Sequence, residues 1–145
     1  MVAGGEPSPE ELAVRVACLD VASRFYDVID QGRATLTTEL FTADAELALG
    51  PDRWVGTGQI AAAMAAREAN VERRTAHIAI PRSFRVLGPE QAEADSLLQL
   101  FVLGTQGEAV PHPAALSRVR DSFRRGDDNR WRLSRREVTV IAGSR

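Results

Sequence analysis

The chain has 145 residues, the length of one ordinary domain and too short for two full ones. It carries 18 basic and 20 acidic residues, and the net charge of −2 provides no overall positive field to attract nucleic acid or an anionic membrane. Every basic residue is an arginine, which excludes Schiff-base chemistry and a lysine general base.

The sequence lacks the usual signals for cofactors and membranes. Its single cysteine, Cys18, cannot form an internal disulfide, and with two histidines it cannot complete a four-ligand zinc site from soft residues. No glycine-rich phosphate loop, HExxH or CxxC motif occurs, so we expect no nucleotide or metal cofactor. No run approaches the ~18–20 apolar residues of a membrane span, and residues 1–10 do not resemble a signal peptide. These features predict a cytoplasmic protein.

Helical signals dominate the first half of the chain. Ser8, Pro9 and Glu11 form a helix start, and Gly32 predicts its end after about Asp30. At about 100° per residue, one broad face of this helix is apolar. Its members are Val14, Cys18, Val21, Ala22, Phe25 and Ile29. A short helix over 35–41, an extended piece over 45–49, a short strand at 54–55 and an alanine-rich helix ending at Ala69 follow.

Beyond residue 72 the apolar residues recur with a period of two, which is typical of strands. The predicted strands are 75–80 with a continuation at 83–87, then 92–103, 114–125 and 130–141. The turns between them are short, apart from the longer segment 104–113, so we expect antiparallel pairing. Helices followed by a strand meander predict an α+β fold, with three helices on one face of a curved antiparallel sheet.

Several short segments resemble the SnoaL-like polyketide cyclase family. They are residues 25–32 (FYDVIDQG), 40–45 (LFTADA), 75–77 (TAH) and 131–133 (WRL), with Gly56, Ile60, Asp121, Phe123 and Arg135. This family is one branch of the cone-shaped superfamily that contains nuclear transport factor 2, ketosteroid isomerase, scytalone dehydratase and limonene epoxide hydrolase. The resemblance implies a cystatin-like α+β barrel around a deep apolar cavity. We therefore expect one cone domain over 10–141, with tails at 1–9 and 142–145.

Two residues are the first catalytic candidates. His77 stands where SnoaL-like members have a pocket histidine, although a histidine at a strand start could simply bond the backbone. Asp121 matches a family position where an aspartate acts as base or hydrogen-bond donor. Strand alternation puts it among apolar neighbours, and the alternative to a catalytic role is an ion pair with one of the nearby arginines.

Tyr26 and Asp27 resemble the Tyr-Asp pair on the first helix of scytalone dehydratase. Tyr26 lies at the edge of the apolar face and could turn its hydroxyl inward to hold a carbonyl or water. The helical wheel puts Asp27 on the polar side, where a solvated carboxylate is the alternative. Asp30 is interpreted as a residue near the helix end.

The remaining candidates are substrate-binding residues. Trp54, Phe101 and Phe123 would either line the cavity or fill the core, and Phe25 and Met64 lie on the apolar faces of their helices. His112, in the stiff segment 110–113, could close over the cavity or be solvated.

Several positions depart from the family patterns, and these departures argue against particular reactions. Residues 47–49 are apolar where ketosteroid isomerases carry the catalytic aspartate, and 97–101 lack the arginine and aspartate of limonene epoxide hydrolases. Tyr26 is the only tyrosine, and Pro81 replaces an asparagine common in SnoaL-like members. Steroid isomerisation, epoxide hydrolysis and a faithful scytalone dehydratase activity are therefore not expected.

The sequence as a whole predicts a cofactor-independent cyclase, dehydratase or isomerase that acts on a small, largely apolar, carbonyl-bearing molecule of the polyketide type. His77 and Asp121 would pass a proton between carbon and oxygen, and Tyr26 would hold the enolate-like oxygen. The alternative is a non-catalytic cone that binds a ligand or a protein. We also expect a homodimer through the outer face of the sheet, where Arg118 and Arg120 could meet acidic partners.

Overall fold

The computed structural model describes residues 5–104 and 110–145. Its helices are α1 (Pro9–Asp30), a 3-10 helix (Ala34–Leu40) and α2 (Gly56–Ala69). Its strands are β1 (Phe41–Leu49), β2 (Asp52–Val55), β3 (Arg74–Gly88), β4 (Gln91–Leu103), β5 (His112–Arg125) and β6 (Trp131–Gly143). Residues 1–4 of the predicted tail and 105–109 of the predicted loop lie outside the described residues.

Local sequence signals account for the first helix. The Ser8 hydroxyl accepts a hydrogen bond from the backbone N–H of Glu11 at 3.1 Å, and Pro9 occupies the first helical position. Gly32, with a φ of +78°, follows the helix end. The predicted bounds of this helix are confirmed. The second predicted helix is present as a 3-10 helix.

The six strands form one curved, unclosed sheet in the order β2-β1-β6-β5-β4-β3. Strands β3 to β6 are the predicted antiparallel meander. The predicted α+β fold with a curved sheet is confirmed, and one pairing between strands distant in the chain is parallel, that of β1 with β6. Short turns predict only pairings between successive strands, and β1 and β6 are joined by most of the chain. The sheet is therefore mixed, with β2 and β3 at its edges.

The end of β6 differs from the predicted tail at 142–145. The strand continues through Gly143, and the backbone N–H of Ser144 donates to the Ala114 carbonyl at 3.0 Å. Gly143 has a φ of +82°, and a Cβ there would collide with that same carbonyl. Arg145, two residues further on, lines a cavity on the helical side of the sheet.

The outer face of the sheet carries the arginines that sequence alternation placed there. Arg118 and Arg120 both lie within 3.6 Å of Asp95, at 3.6 and 3.5 Å. The acidic partner expected for these residues is thus supplied within the same chain. Exposed apolar residues, including Ile78 and Ile80, lie on the same face. Pairing of two copies through this face stays a proposal.

A buried arginine on the inner face of the sheet, Arg136, joins the sheet to α1. Arg136 is fully buried, and its Nε and Nη2 donate to the two carboxylate oxygens of Asp121, each at 2.7 Å. Nη2 also donates to the Ala22 carbonyl of α1 at 3.2 Å. The guanidinium lies over the rings of Phe25 and Tyr26, 4.7 Å from each centroid. The ion-pair alternative for Asp121 is therefore the correct one.

Asp121→Asn should destabilise the protein by about 3–5 kcal/mol, because it leaves the Arg136 charge buried without its counter-ion. Urea unfolding followed by circular dichroism measures the change. Asp95→Asn is the matched control in a partly exposed pair and should lower the unfolding free energy by no more than ~1 kcal/mol. Similar losses for the two variants would contradict the structural role given to Asp121.

Candidate active site

A cavity of about 430 Å³ lies between the two α-helices and the inner face of the sheet. Its large apolar lining residues are Phe25, Ile29, Leu49, Trp54, Met64 and Leu100. The polar lining residues are Thr75, His77 and the arginines Arg67, Arg73 and Arg145. An apolar cavity with a few polar groups is the usual form of a small-molecule site.

His77, at one wall of this cavity, forms a pair with Asp30. Asp30 is the last residue of α1, and His77 lies near the start of β3. The Nδ1 atom of His77 is 2.7 Å from Oδ1 of Asp30, and the backbone N–H of His77 donates to Oδ2 at 2.8 Å. The imidazole side chain is only 5% exposed. Both oxygens of one carboxylate thus fix the position of the histidine.

Further hydrogen bonds hold Asp30 in its charged form. The Thr75 hydroxyl donates to Oδ1 of Asp30 at 2.9 Å, and Arg67 donates to the Thr75 oxygen at 3.2 Å. Burial by itself raises the pKa of the Asp30 carboxyl, but the hydrogen bonds from His77 and Thr75 outweigh it, and the pKa is lowered. Asp30 is therefore a carboxylate at neutral pH.

An ionised Asp30 determines which nitrogen of His77 carries the proton. A carboxylate only accepts hydrogen bonds, so Nδ1 of a neutral His77 must be the donor. This assignment follows from the hydrogen-bond network. Nε2 then keeps its lone pair and can take a proton from a bound molecule, and Asp30 stabilises the imidazolium that results. The arrangement is that of an oriented general base.

Tyr26 contacts the ring of His77 but does not line the cavity. The two rings stack with centroids 5.2 Å apart and an interplanar angle of 24°. The Tyr26 hydroxyl is buried and has no hydrogen-bond partner in the part of the chain that the structure describes. The predicted role of this hydroxyl in holding a substrate oxygen finds no support in its position. Tyr26 instead supports the imidazole from one side.

The structure brings together four of the residues predicted for the site. Phe25, Trp54, Met64 and His77 all line the cavity. The predicted pairing of His77 with Asp121 is wrong, because Asp121 is held by Arg136 and does not line this cavity.

Four other predicted site residues lie elsewhere. Phe123 is buried in the core, where its ring packs 6.4 Å from that of Phe84. Phe101 pairs with Ala76, whose strand neighbours face the cavity, so Phe101 points to the outer face of the sheet. Asp27 and His112 are exposed. For Asp27 the structure thus agrees with the solvated alternative that the helical wheel indicated.

Asp30 is the functional residue that the sequence interpretation missed. It follows Tyr26 by four positions on α1, which places the two side chains on the same helix face. The spacing of four residues from Tyr26 is the signal that could have identified Asp30. The resemblance to the Tyr-Asp pair pointed instead to Asp27, the residue next to Tyr26. The three lining arginines come from separate parts of the chain, and no local pattern connects them.

A second concavity, of about 600 Å³, lies on the outer face of the sheet. Its charged side chains pair with one another, as in the Arg85–Glu93 and Arg135–Glu137 contacts. The titratable groups there are engaged in ion pairs, so the helical-side cavity is the better candidate for chemistry. Within residues 5–104 and 110–145, no group of three or more His, Cys, Asp or Glu side chains is placed to hold a metal ion. No helix in the described ranges is long and apolar enough to cross a membrane.

Comparison with known proteins gives the family. A model of the SnoaL-like domain matches residues 10–137, and the chain belongs to this family. No curated protein matches the chain significantly.

Solved structures share the fold. A candidate scytalone dehydratase from Novosphingobium aromaticivorans is 16% identical, with a TM-score of 0.78 over 92% of this chain and 87% of that one. ActVI-ORFA from Streptomyces coelicolor is 17% identical, with a TM-score of 0.78 over 89% of this chain and 98% of that one. An NTF2-like protein with a cystatin-like fold from N. aromaticivorans is 26% identical, with a TM-score of 0.72 over 97% and 94%.

Tyr26 offers a direct check on the burial of the site. Burial raises the pKa of Tyr26 to about 12, against the opposing effect of the Arg136 charge. Because Tyr26 is the only tyrosine, absorbance at the tyrosinate band reports this residue alone. We expect a titration midpoint near 12 in the folded protein and one near 10 in urea. The contribution of Tyr26 to stability should be present below pH ~10 and be lost as the pH rises toward the folded-state value. A midpoint near 10 in folded protein would contradict the burial of the hydroxyl.

Proposed function

We propose that this chain is a cofactor-independent acid–base enzyme of the SnoaL-like family, acting on a small, largely apolar molecule that bears a carbonyl group. The observation that carries the proposal is the Asp30–His77 pair, whose histidine lines an apolar cavity and uses Nδ1, not Nε2, for the bond to Asp30. The same family and fold include dehydratases and cyclases, which supports an enzyme over a purely structural module.

The proposed reaction starts at the carbon next to the carbonyl. Nε2 of His77 removes a proton from that carbon, and the electron pair moves onto the carbonyl oxygen as an enolate. Asp30 offsets the positive charge that His77 gains. In a dehydration, the enolate re-forms the carbonyl, the bond from the β-carbon to its hydroxyl breaks, and the imidazolium proton leaves with that hydroxyl as water. His77 is then neutral again, and no oxidant or reductant is consumed.

The geometry favours a reaction in which one group both takes and returns the proton. His77 is the only histidine or carboxylic residue among the described residues that line the cavity. The proton is thus removed and delivered on one face of the substrate, as in a syn elimination or a 1,3-proton shift. Cyclisation would use the same enolate as a carbon nucleophile. Within the proposal, dehydration or isomerisation requires the fewest groups.

The β-hydroxyketone 3-hydroxy-1-tetralone is a suitable probe, because loss of water converts it to fluorescent 1-naphthol. We expect the protein to accelerate this reaction over buffer, and His77→Gln to lower the rate by roughly 10²–10⁴-fold. Asp30→Asn should also lower the rate, because Nδ1 loses the charged acceptor that orients it. Fluorescence under steady-state conditions measures each rate.

The exposed His112 provides the control for these variants. His112→Gln should keep the wild-type rate, and thermal unfolding should show that all variants are folded. If the wild-type protein does not accelerate the reaction, or if His77→Gln is as active as wild type, the general-base proposal fails. The alternative, a ligand-binding module, would then account better for the cavity.

A further inference from the structure

Three arginines line the candidate active site, and they come from three separate places in the chain. Arg67 lies in the last turn of α2, Arg73 in the turn that precedes β3, and Arg145 just after β6. None of them forms an ion pair with a carboxylate in the part of the chain that the structure describes. Arginines on the sheet behave differently: Arg120, for example, lies 3.5 Å from Asp95.

The charge of Arg73 acts unfavourably on the charges of Arg67 and Arg145, and for Arg67 the Asp30 carboxylate opposes this effect. Burial is the main cause that lowers the pKa of Arg67 and of Arg145, and the positive charge of Arg73 lowers both as well. The rest of the lining is mostly apolar, so nearby water and counter-charges screen the repulsion less than at an open surface. A bound anion would remove this unfavourable energy and would gain bidentate hydrogen bonds from the guanidinium groups.

One of the three arginines is already oriented. Arg67 donates to the Thr75 oxygen at 3.2 Å, and Thr75 in turn donates to Asp30. The same threonine therefore connects the arginine cluster to the Asp30–His77 pair. An anionic group held by the arginines would lie in the same cavity as the general base, so one ligand can contact both.

The surroundings favour a singly charged carboxylate over a phosphate. Arg67 belongs to the C-terminal end of α2, where the helix dipole presents partial negative charge, and a doubly charged group is disfavoured there. No glycine-rich phosphate loop occurs in the sequence. The apolar walls suit a hydrocarbon skeleton that carries the acid.

We propose that Arg67, Arg73 and Arg145 bind a carboxylate group of the substrate. The substrate class is then an apolar, carbonyl-bearing carboxylic acid, its acid group on the arginines and its reacting carbon at His77. The reaction at His77 rests on the proposed function, whereas the carboxylate site does not depend on it.

Paired ligands of equal size test the site by isothermal titration calorimetry. 1-Naphthylacetate should bind at least about tenfold more tightly than the neutral 1-naphthylacetamide, since hydrogen bonds to a charged group add on this scale. The preference should shrink as salt is added. Equal affinities, or no measurable binding of the acid at millimolar concentration, would overturn the proposal. Tighter binding of 1-naphthyl phosphate than of the acid would overturn the choice of a carboxylate.

The neighbouring Arg74 supplies a matched control. It is exposed, does not line the cavity, and donates to the Gly104 carbonyl at 3.3 Å. Arg73→Gln and Arg145→Gln should each reduce the preference for the acid severalfold, whereas Arg74→Gln should keep it. If all three variants bind the acid alike, the assignment is wrong.

The two proposals fail separately in these experiments. In one outcome, His77→Gln loses hydroxytetralone dehydration but neither the wild type nor any variant prefers the acid. This result would support the enzyme and overturn the anion site. An arginine-dependent preference for the acid, in a protein that does not dehydrate the ketone, would support the anion site and overturn the proposed reaction. His77→Gln itself should keep the preference for the acid.

Discussion

The buried guanidinium of Arg136 is the contact on which the arrangement of the site depends. It binds Asp121 on the neighbouring strand, the Ala22 carbonyl of α1, and the faces of two aromatic rings of that helix. One of those rings, Tyr26, stacks on His77. A buried charge in this position fixes the helix relative to the sheet, because displacement of α1 would take the Ala22 carbonyl and the two aromatic rings away from the buried guanidinium. Arg136 thus supports the position of His77 through Tyr26.

The proposed chemistry needs only a few side chains. α1 supplies Asp30 at its last residue and β3 supplies His77, so the contact between one helix end and one strand creates an oriented base. Apolar residues of both helices complete the walls, and the arginines add positive charge at the same cavity. A neutral base beside a cluster of cations is suited to a substrate that brings its own negative charge. Such a substrate would complete the electrostatic balance of the site.

Periodicity and capping predict most of the fold, because the helix caps, the alternating strands and the short turns are all local signals. The parallel pairing of β1 with β6 and the return of Arg145 to the cavity join distant parts of the chain, and no local signal reports them. The sequence correctly predicts that His77 and the apolar residues Phe25, Trp54 and Met64 line one cavity. The sequence does not show whether Asp121 or Asp30 is the partner of His77. Which carboxylate meets an arginine and which meets a histidine depends on how the strands pair, and no local pattern reports that pairing.

The central claim is that an ionised Asp30 holds His77 with its proton on Nδ1 and its lone pair on Nε2. The ¹⁵N chemical shifts of the two ring nitrogens measure this directly in folded protein above neutral pH, and the exposed His112 serves as the internal reference. The structure predicts a neutral His77 protonated on Nδ1 alone, and loss of this preference in Asp30→Asn. A His77 protonated on Nε2, or one with no preference between the two tautomers, would contradict the account.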